Sequence, residues 1–511
     1  MGNIRGGKVV KIGRRQKRNN KGQLVCVLLI SVPGGSMALA AEWTIQPLLE
    51  VAETYSDNIA LEPSGLEEDD FVTEINPGLL LRGAGRRLTL DLGYRLQNLL
   101  FANNSDSNST NHQLFANATG ELYREHLFLD ASASVGQENF SDLGSRPSDN
   151  LSLGDDRGNV ITYSISPYWR QRFRDLAEAQ VRFTYDDVSG DNDDVSGSSR
   201  VVNASLVSGT RFGRWGWDLR YDRQDVSDEV GDVADPNAVD NDGGPSFETF
   251  DGEVSYRLTR QLGLFAAGGF ENNDFASVDQ DTDGVTWRIG ANWRPSRNTE
   301  LEAFYGHRFF GSTWGMDLTH RSRRTTWSAN YREEVVQTRN LLLDRSLFAL
   351  ADTPQELITN PIATDQVEEE ELVQFSGSLP TFSNEVFIDK TFAGGVDIDF
   401  RRMTLGLRGF NTTREFQQSG TEEDQFGALA VLSRQISRAT TATVSLDLER
   451  IDFNDPSDRQ DDTVDFRIGI LHQFGRHLSG IVDYRFLDRS SSEEDAQFTE
   501  NRIMGRLLVT L

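Results

Sequence analysis

The chain has 511 residues, of which 37% are hydrophobic and 25% charged, and its formal net charge is -28 at pH 7. This acidic balance argues against binding to the phosphates of DNA or RNA. A helical membrane protein needs runs of about 18 apolar residues or more, and none follows the first 40 residues. A mean hydropathy of -0.48 is still compatible with a transmembrane β-barrel, because only every second strand residue contacts lipid.

The N-terminal 40 residues have the pattern of a secretory signal peptide. A basic stretch is followed by the short apolar run 24–32, and Ala38 and Ala40 provide a small-x-small cleavage site. The apolar run is too short for a membrane anchor, which needs about 20 residues. We therefore predict cleavage after Ala40 and one mature domain over residues 41–511.

Most of the chain beyond the leader alternates between apolar and polar residues. Val464 and Phe466 fall on one side of an extended chain, whereas Asp465 and Arg467 fall on the other. This period of two predicts β-strands with one apolar and one polar face. The predicted strands are 43–53, 71–81, 87–100, 113–123, 127–136, 160–169, 177–186, 201–210, 215–223, 250–258, 262–270, 285–293, 300–309, 314–320, 325–332, 391–401, 403–410, 426–433, 440–450, 464–474, 478–487 and 502–511.

Two kinds of connection alternate between these strands. One is short and contains arginine, and the other is longer and rich in Asp, Asn, Ser and Gly. Short periplasmic turns and long extracellular loops are typical of bacterial outer-membrane barrels. About eleven long and about ten short connections predict an all-β fold, a transmembrane antiparallel up-and-down β-barrel of about 22 strands (range about 18–22), in the bacterial outer membrane. A periplasmic aromatic girdle is predicted near the short turns, formed by Trp169, Trp215, Trp217, Trp287, Trp293 and Trp327.

The segment 337–389 interrupts the alternation. An insertion of this length is usually functional or disordered. Two interpretations remain open. The segment is either folded into the lumen as a constriction or exposed as a surface loop.

Full charges recur on the polar face of strand after strand. Such charges are costly in hydrocarbon, so they must face water or each other. A ring of this size leaves an aqueous lumen unless something fills it. The charges therefore indicate either a polar channel or an ion-paired interior that holds the ring open. The residues predicted to line the lumen are Asp91, Arg95, Arg182, Asp218, Arg220, Arg288, Glu302, Arg308, Arg408, Asp447, Asp465, Arg467, Asp483 and Arg485.

The sequence offers little for enzymatic chemistry. Its six histidines stand in no metal-binding or nucleophile-activating motif, and its one cysteine, Cys26, lies in the leader. His112 and His307 could reach a loop-side cleft, but no partner can be identified for either. The stretch beginning at Asp279 resembles the start of a calcium-binding loop, yet its twelfth position is Gly290 instead of glutamate. We predict no catalytic residue, no metal site, no cofactor and no enzymatic activity.

Two short stretches carry a resemblance to a known family. Residues 53–59 (ETYSDNI) and residues 384–390 (NEVFIDK) resemble the outer-membrane proteins associated with the PEP-CTERM/exosortase system, which are relatives of β-barrel porins from exopolysaccharide gene clusters. The resemblance covers residues 42–511. It implies an outer-membrane barrel linked to polysaccharide production or export, with the polysaccharide or its export proteins as partners.

Three functions follow from these expectations. The first is a channel or conduit associated with exopolysaccharide export. The second is an energy-coupled solute-uptake receptor. Such receptors with about 22 strands carry a plug before the barrel. Here the first predicted strand begins directly after the predicted leader, which argues against this function. The third is a structural or adhesive surface barrel without transport. In each case the expected partners are outer-membrane lipid and the outer-membrane assembly machinery, and nucleic acid is not among them.

Overall fold

The protein is described here from a computed structural model. The structure describes residues 42–139, 150–153, 157–191, 196–228, 244–278, 281–346, 384–454 and 458–511. The predicted signal peptide, with Ala38 and Ala40, lies outside these residues. None of the described helices is long and apolar enough to cross a membrane.

The described residues form 22 β-strands and one α-helix. The elements are β1 (Glu42–Ser56), β2 (Asp70–Ala84), β3 (Leu88–Phe101), β4 (Ser109–Tyr123), β5 (Leu127–Asn139), β6 (Arg157–Arg172), β7 (Ala177–Gly190), β8 (Gly197–Ser208), β9 (Trp215–Asp228), β10 (Ser246–Arg257), β11 (Leu262–Asp274), β12 (Gly284–Ser296), β13 (Thr299–Arg308), β14 (Gly311–Arg321), β15 (Thr325–Gln337), α1 (Thr338–Ser346), β16 (Val386–Phe400), β17 (Met403–Phe416), β18 (Glu422–Gln435), β19 (Thr440–Asn454), β20 (Arg459–Gln473), β21 (Leu478–Ser491) and β22 (Phe498–Thr510).

The strands form one closed antiparallel sheet. Each strand pairs with the strands before and after it in the chain, and β1 pairs with β22 in a register that runs from Leu48 opposite Thr510 to Ser56 opposite Arg502. Closure gives every strand two hydrogen-bonded neighbours, so no open edge remains. The predicted all-β, up-and-down barrel of 22 strands is confirmed.

The connections differ at the two ends of the barrel. Ten turns of two to six residues join the strands at one end, where β1 begins and β22 ends. Eleven loops join them at the other end, and the longest lies between β15 and β16. We call these ends the turn side and the loop side.

Several strands extend farther toward the loop side than the sequence pattern predicts. Strand β20 begins at Arg459, five residues before the predicted start, and β18 begins at Glu422, four residues early. Outward positions in these extensions are polar because they lie beyond the hydrocarbon. Asp462 in the extension of β20, for example, forms an outward ion pair with Arg450 of β19, with Arg450 Nε and Asp462 Oδ1 2.6 Å apart. The apolar alternation therefore stops before the strand does.

The outer face of the barrel is apolar. Val464, Ile468 and Ile470 of β20 and Val482 of β21 lie on it, and Val482 is 62% exposed. Large hydrophobic side chains are exposed in the same way on strand after strand around the ring. A closed barrel with a continuous exposed apolar belt is stable only in a bilayer. The protein is therefore a transmembrane barrel of the outer-membrane kind, and the predicted location is confirmed.

Aromatic residues border the belt on both sides. Trp215, the first residue of β9, and Trp327, the third residue of β15, lie on the turn side as predicted. The predicted position of Trp287 is wrong, because β12 runs from loop side to turn side and Trp287 is its fourth residue. It belongs to the loop-side girdle, where Trp314 and Tyr331 also stack with ring centroids 3.8 Å apart.

Candidate functional site: the lumen and its loop-side closure

The inner wall is formed by the polar face of the sheet. Opposed residues in neighbouring strands lie on the same face, so the strand register assigns each side chain to one side of the wall. The face that carries Val160 and Val188 is the inner one, because helix α1 packs against both residues. The register places all fourteen predicted lumen residues on this face: Asp91, Arg95, Arg182, Asp218, Arg220, Arg288, Glu302, Arg308, Arg408, Asp447, Asp465, Arg467, Asp483 and Arg485.

All eight arginines in this set have a carboxylate within 4 Å. Some pairs bridge non-adjacent strands: Arg182 Nη1 of β7 lies 2.8 Å from Asp130 Oδ2 of β5, and Arg308 Nε of β13 lies 2.7 Å from Glu271 Oε1 of β11. The remaining six pair as Arg95–Glu50, Arg220–Asp218, Arg288–Glu253, Arg408–Asp397, Arg467–Asp465 and Arg485–Asp465.

Three of the predicted carboxylates lack such a partner. Within the described ranges, no arginine or lysine nitrogen lies within 4.0 Å of Glu302, Asp447 or Asp483, whereas Asp91 accepts a hydrogen bond from Arg82 at 2.9 Å. Arg467 and Arg485 share Asp465, which leaves one arginine charge without a carboxylate of its own, against three carboxylates without a basic partner. The balance of charge in this set is therefore negative. Such a wall favours neutral or cationic solutes over anions.

Several buried ion pairs lie on β20 and β21. Asp465 receives hydrogen bonds from Arg467 and Arg485, each with Nη2 2.7 Å from Oδ2, and the Arg485 side chain is only 4% exposed. Nearer the loop side, Asp461 binds Arg459 at 2.8 Å and also Arg489. Side chains that are buried and ion-paired in this way hold the wall together and are not available to a passing solute.

Residues 150–153, in the loop between β5 and β6, fold over the inner wall at the loop side. Leu151 is buried with Ile59 and with inward residues of β2 and β3. Ser152 Oγ accepts a hydrogen bond of 3.0 Å from Arg502 Nη2 on β22. Asn150 Nδ2 donates to side-chain oxygens on β3 and β5. The segment therefore covers the wall formed by the first and last strands.

Helix α1 also lies across the loop side of the barrel. It follows β15 directly, yet Leu342 packs against Val160 of β6 and Val188 of β7, about nine strands away around the ring. Arg339 Nη2 also donates a 3.1 Å hydrogen bond to the carbonyl of Gly197 in β8. The helix therefore crosses the mouth of the barrel. Residues 347–383 of the predicted insertion lie outside the described residues, and Val386–Asp389 are part of β16.

The closure residues could not be found by reading the sequence alone. Arg339 and Leu342 lie inside the predicted insertion 337–389, but the sequence does not indicate which residues they contact. Ser152 and Arg502 are 350 residues apart. No local pattern predicts such a pair, because its formation depends on closing the ring first.

The two histidines with a possible catalytic role do not lie in the lumen. His112 and His307 face outward, opposite Leu96 and Trp287, so neither reaches the lumen. In the parts of the chain that the structure describes, no group of three or more His, Cys, Asp or Glu side chains could hold a metal ion. Asp279, which begins the calcium-like stretch, lies outside those parts.

No family model matches the chain, and a comparison with curated proteins finds no match. Solved structures of outer-membrane proteins are similar to it. The siderophore receptor PirA from Pseudomonas aeruginosa has a TM-score of 0.46 at 7% identity, covering 91% of this chain and 80% of that chain. The FrpB iron transporter from Neisseria meningitidis has a TM-score of 0.49 at 7% identity, covering 91% and 82%. A mutant of the ferric enterobactin receptor PfeA from P. aeruginosa has 0.49 at 8% identity, covering 91% and 80%. These identities are too low to assign a function.

Proposed function

We propose that the protein is a gated outer-membrane transport barrel for a polar solute. The observation that carries this proposal is helix α1, which crosses a lumen lined by charged side chains and is held on the far wall by Arg339 and Leu342. A ring of 22 strands is wide enough to need such a filling. Displacing the helix from Val160 and Val188 would open a polar path, and transport involves no catalytic step.

The resemblance of residues 53–59 and 384–390 supports an exopolysaccharide as the solute. The charge of the inner wall indicates which class of polysaccharide could pass. The predicted lumen arginines all have a carboxylate within 4 Å, whereas Glu302, Asp447 and Asp483 have no arginine or lysine nitrogen that close among the described residues. A neutral polymer would meet no repulsion there, whereas a polyanion would. We therefore propose a neutral or weakly charged polysaccharide.

Conductance in planar bilayers tests the gate. Leu342→Asp places a charge in the contact with Val160 and Val188, so we expect larger and longer-lived current steps than the unaltered chain gives. Leu66→Asp is the matched control, because Leu66 is 65% exposed in the loop after β1. A second variant replaces residues 338–383 with a short Gly-Ser linker. The proposal fails if both gate variants migrate as folded, heat-modifiable barrels and carry no more current than the control.

A second candidate is an energy-coupled uptake receptor. The strand number favours it, because barrels of 22 strands are characteristic of energy-coupled transporters, whereas passive porins have about 16–18. The two functions differ in their energy source. Uptake that stops when a protonophore collapses the inner-membrane gradient would identify a receptor, whereas unchanged flux would identify a passive conduit. A barrel with neither current nor uptake would be the structural or adhesive protein considered above.

A further inference from the structure

Every short turn of the barrel contains arginine. The ten turns together hold fourteen arginines, no lysine and two acidic residues, Glu125 and Asp175. Eight of the ten turns carry positive charge only, whereas the loops at the opposite end are rich in acidic residues. The turn arginines are Arg86, Arg87, Arg124, Arg174, Arg211, Arg214, Arg260, Arg297, Arg323, Arg324, Arg401, Arg402, Arg438 and Arg476.

With the exception of Arg87, these arginines are exposed and have no carboxylate within 4.0 Å among the described residues. Thirteen of the fourteen are solvent-exposed, and Arg87 is half-buried. Arg87 alone has a described carboxylate oxygen within 4.0 Å, that of Glu121 at 3.9 Å. By contrast, each of the eight predicted lumen arginines has a carboxylate within 4 Å. The turn side therefore carries a ring of positive charge that the described side chains do not neutralise.

The ring lies where a bilayer places its headgroups. Arg214 directly precedes Trp215, which is 58% exposed, and Arg324 lies three residues before Trp327, which is 50% exposed. Tryptophans at a membrane interface lie at the level of the headgroups. An arginine one to three residues beyond such a tryptophan is close enough for its guanidinium group to contact the phosphate layer. Guanidinium groups bind phosphate with two parallel hydrogen bonds.

We propose that the turn side binds the phosphodiester headgroups of anionic phospholipids in the facing leaflet, with phosphatidylglycerol as the representative ligand. The continuity between the arginines and the tryptophan girdle favours a lipid over a soluble polyanion. A soluble partner would be recognised as well by turns that project away from the membrane. Arginine in place of lysine fits this ligand, because a planar guanidinium matches two phosphate oxygens and an ammonium does not.

The test uses the full chain in nanodiscs containing equal amounts of phosphatidylglycerol and phosphatidylcholine. After detergent extraction, native mass spectrometry counts the lipids retained per barrel. The variant Arg323→Gln, Arg324→Gln, Arg401→Gln, Arg402→Gln removes four charges from turns that flank the neighbouring strands β15 and β16. We expect the unaltered chain to retain phosphatidylglycerol preferentially and this variant to lose roughly tenfold or more of that preference.

Two controls separate lipid binding from general charge and from folding. The same four positions changed to lysine keep the charge and should retain part of the preference. The double variant Arg323→Gln, Arg324→Gln is compared with the double variant Arg223→Gln, Arg450→Gln. The second removes the same charge from outward residues on the loop side and should leave the preference for phosphatidylglycerol unchanged. Heat-modifiable migration shows that each variant is folded. Equal lipid preference in all variants would overturn the proposal, as would arginine-dependent binding of a soluble polyanion without any preference for phosphatidylglycerol.

Discussion

Asp57, the residue after β1, binds Asn501 of β22 through both of its carboxylate oxygens. The backbone N–H of Asn501 donates to Oδ1 at 2.7 Å, and its side-chain Nδ2 donates to Oδ2 at 2.8 Å. The next residue, Asn58, donates from Nδ2 to the carbonyl of Thr499 at 3.1 Å. The stretch 53–59, which carries the family resemblance, therefore fastens the seam where the first and last strands meet. Its residues serve closure of the barrel and do not by themselves specify a solute.

The seam predicts a stability effect. Asp57→Ala removes both acceptors of Asn501, and we expect it to lower the free energy of unfolding by about 1–3 kcal/mol. Urea titration followed by tryptophan fluorescence, with reversibility checked by heat-modifiable migration, measures the change. Asp106→Ala is the control, because Asp106 lies exposed in a short turn between β3 and β4. Equal midpoints for the two variants would contradict the role of the seam.

The ion pairs of the inner wall should contribute different amounts to the free energy of unfolding, according to how deeply each pair is buried. Asp465→Asn leaves Arg467 and Arg485 facing each other across β20 and β21, and we expect a loss of about 3 kcal/mol or more. The same change at Asp397, whose side chain is 42% exposed beside Arg408, should cost less than about 1 kcal/mol. Unfolding midpoints in urea compare the two. If Asp465→Asn costs no more than Asp397→Asn, the buried pairs do not hold the wall.

The sequence pattern predicted the number and order of the strands because lipid and lumen impose a local period of two. The alternation becomes weaker where a strand extends beyond the lipid, because its outward residues no longer have to be apolar. At the loop-side start of β20, Arg459 and the residues after it are polar on both faces of the strand, so the alternation does not predict this extension. The face occupied by Asp465 and Arg467 follows from alternation alone. The contacts of Ser152 and α1 depend on distant strands, which local composition cannot specify.

Locking α1 should reduce current reversibly. The variant Leu342→Cys, Val188→Cys places two thiols where the helix packs on β7, and Cys26, in the predicted signal peptide, is the only other cysteine in the sequence. A short reducible cross-linker should keep the mouth closed, and cleavage of the linker should restore the activity seen before treatment. Bilayer conductance before and after reduction measures this. Each single-cysteine variant, treated in the same way, is the control and should not respond. A cross-linked double variant with unchanged conductance would show that α1 does not obstruct the path.

The assignment of faces predicts opposite outcomes for the same substitution on neighbouring strands. Leu446 of β19 faces outward in the middle of the strand, so Leu446→Arg places a guanidinium in hydrocarbon and should cost about 2–4 kcal/mol. Leu429 of β18 faces the lumen opposite Asp447, which has no ion pair within 4.0 Å among the described residues. Leu429→Arg can reach that carboxylate and should change the free energy of unfolding by less than about 1 kcal/mol. Urea unfolding in the same lipid compares the pair. Equal costs, or a larger cost at Leu429, would show that the two faces have been assigned incorrectly.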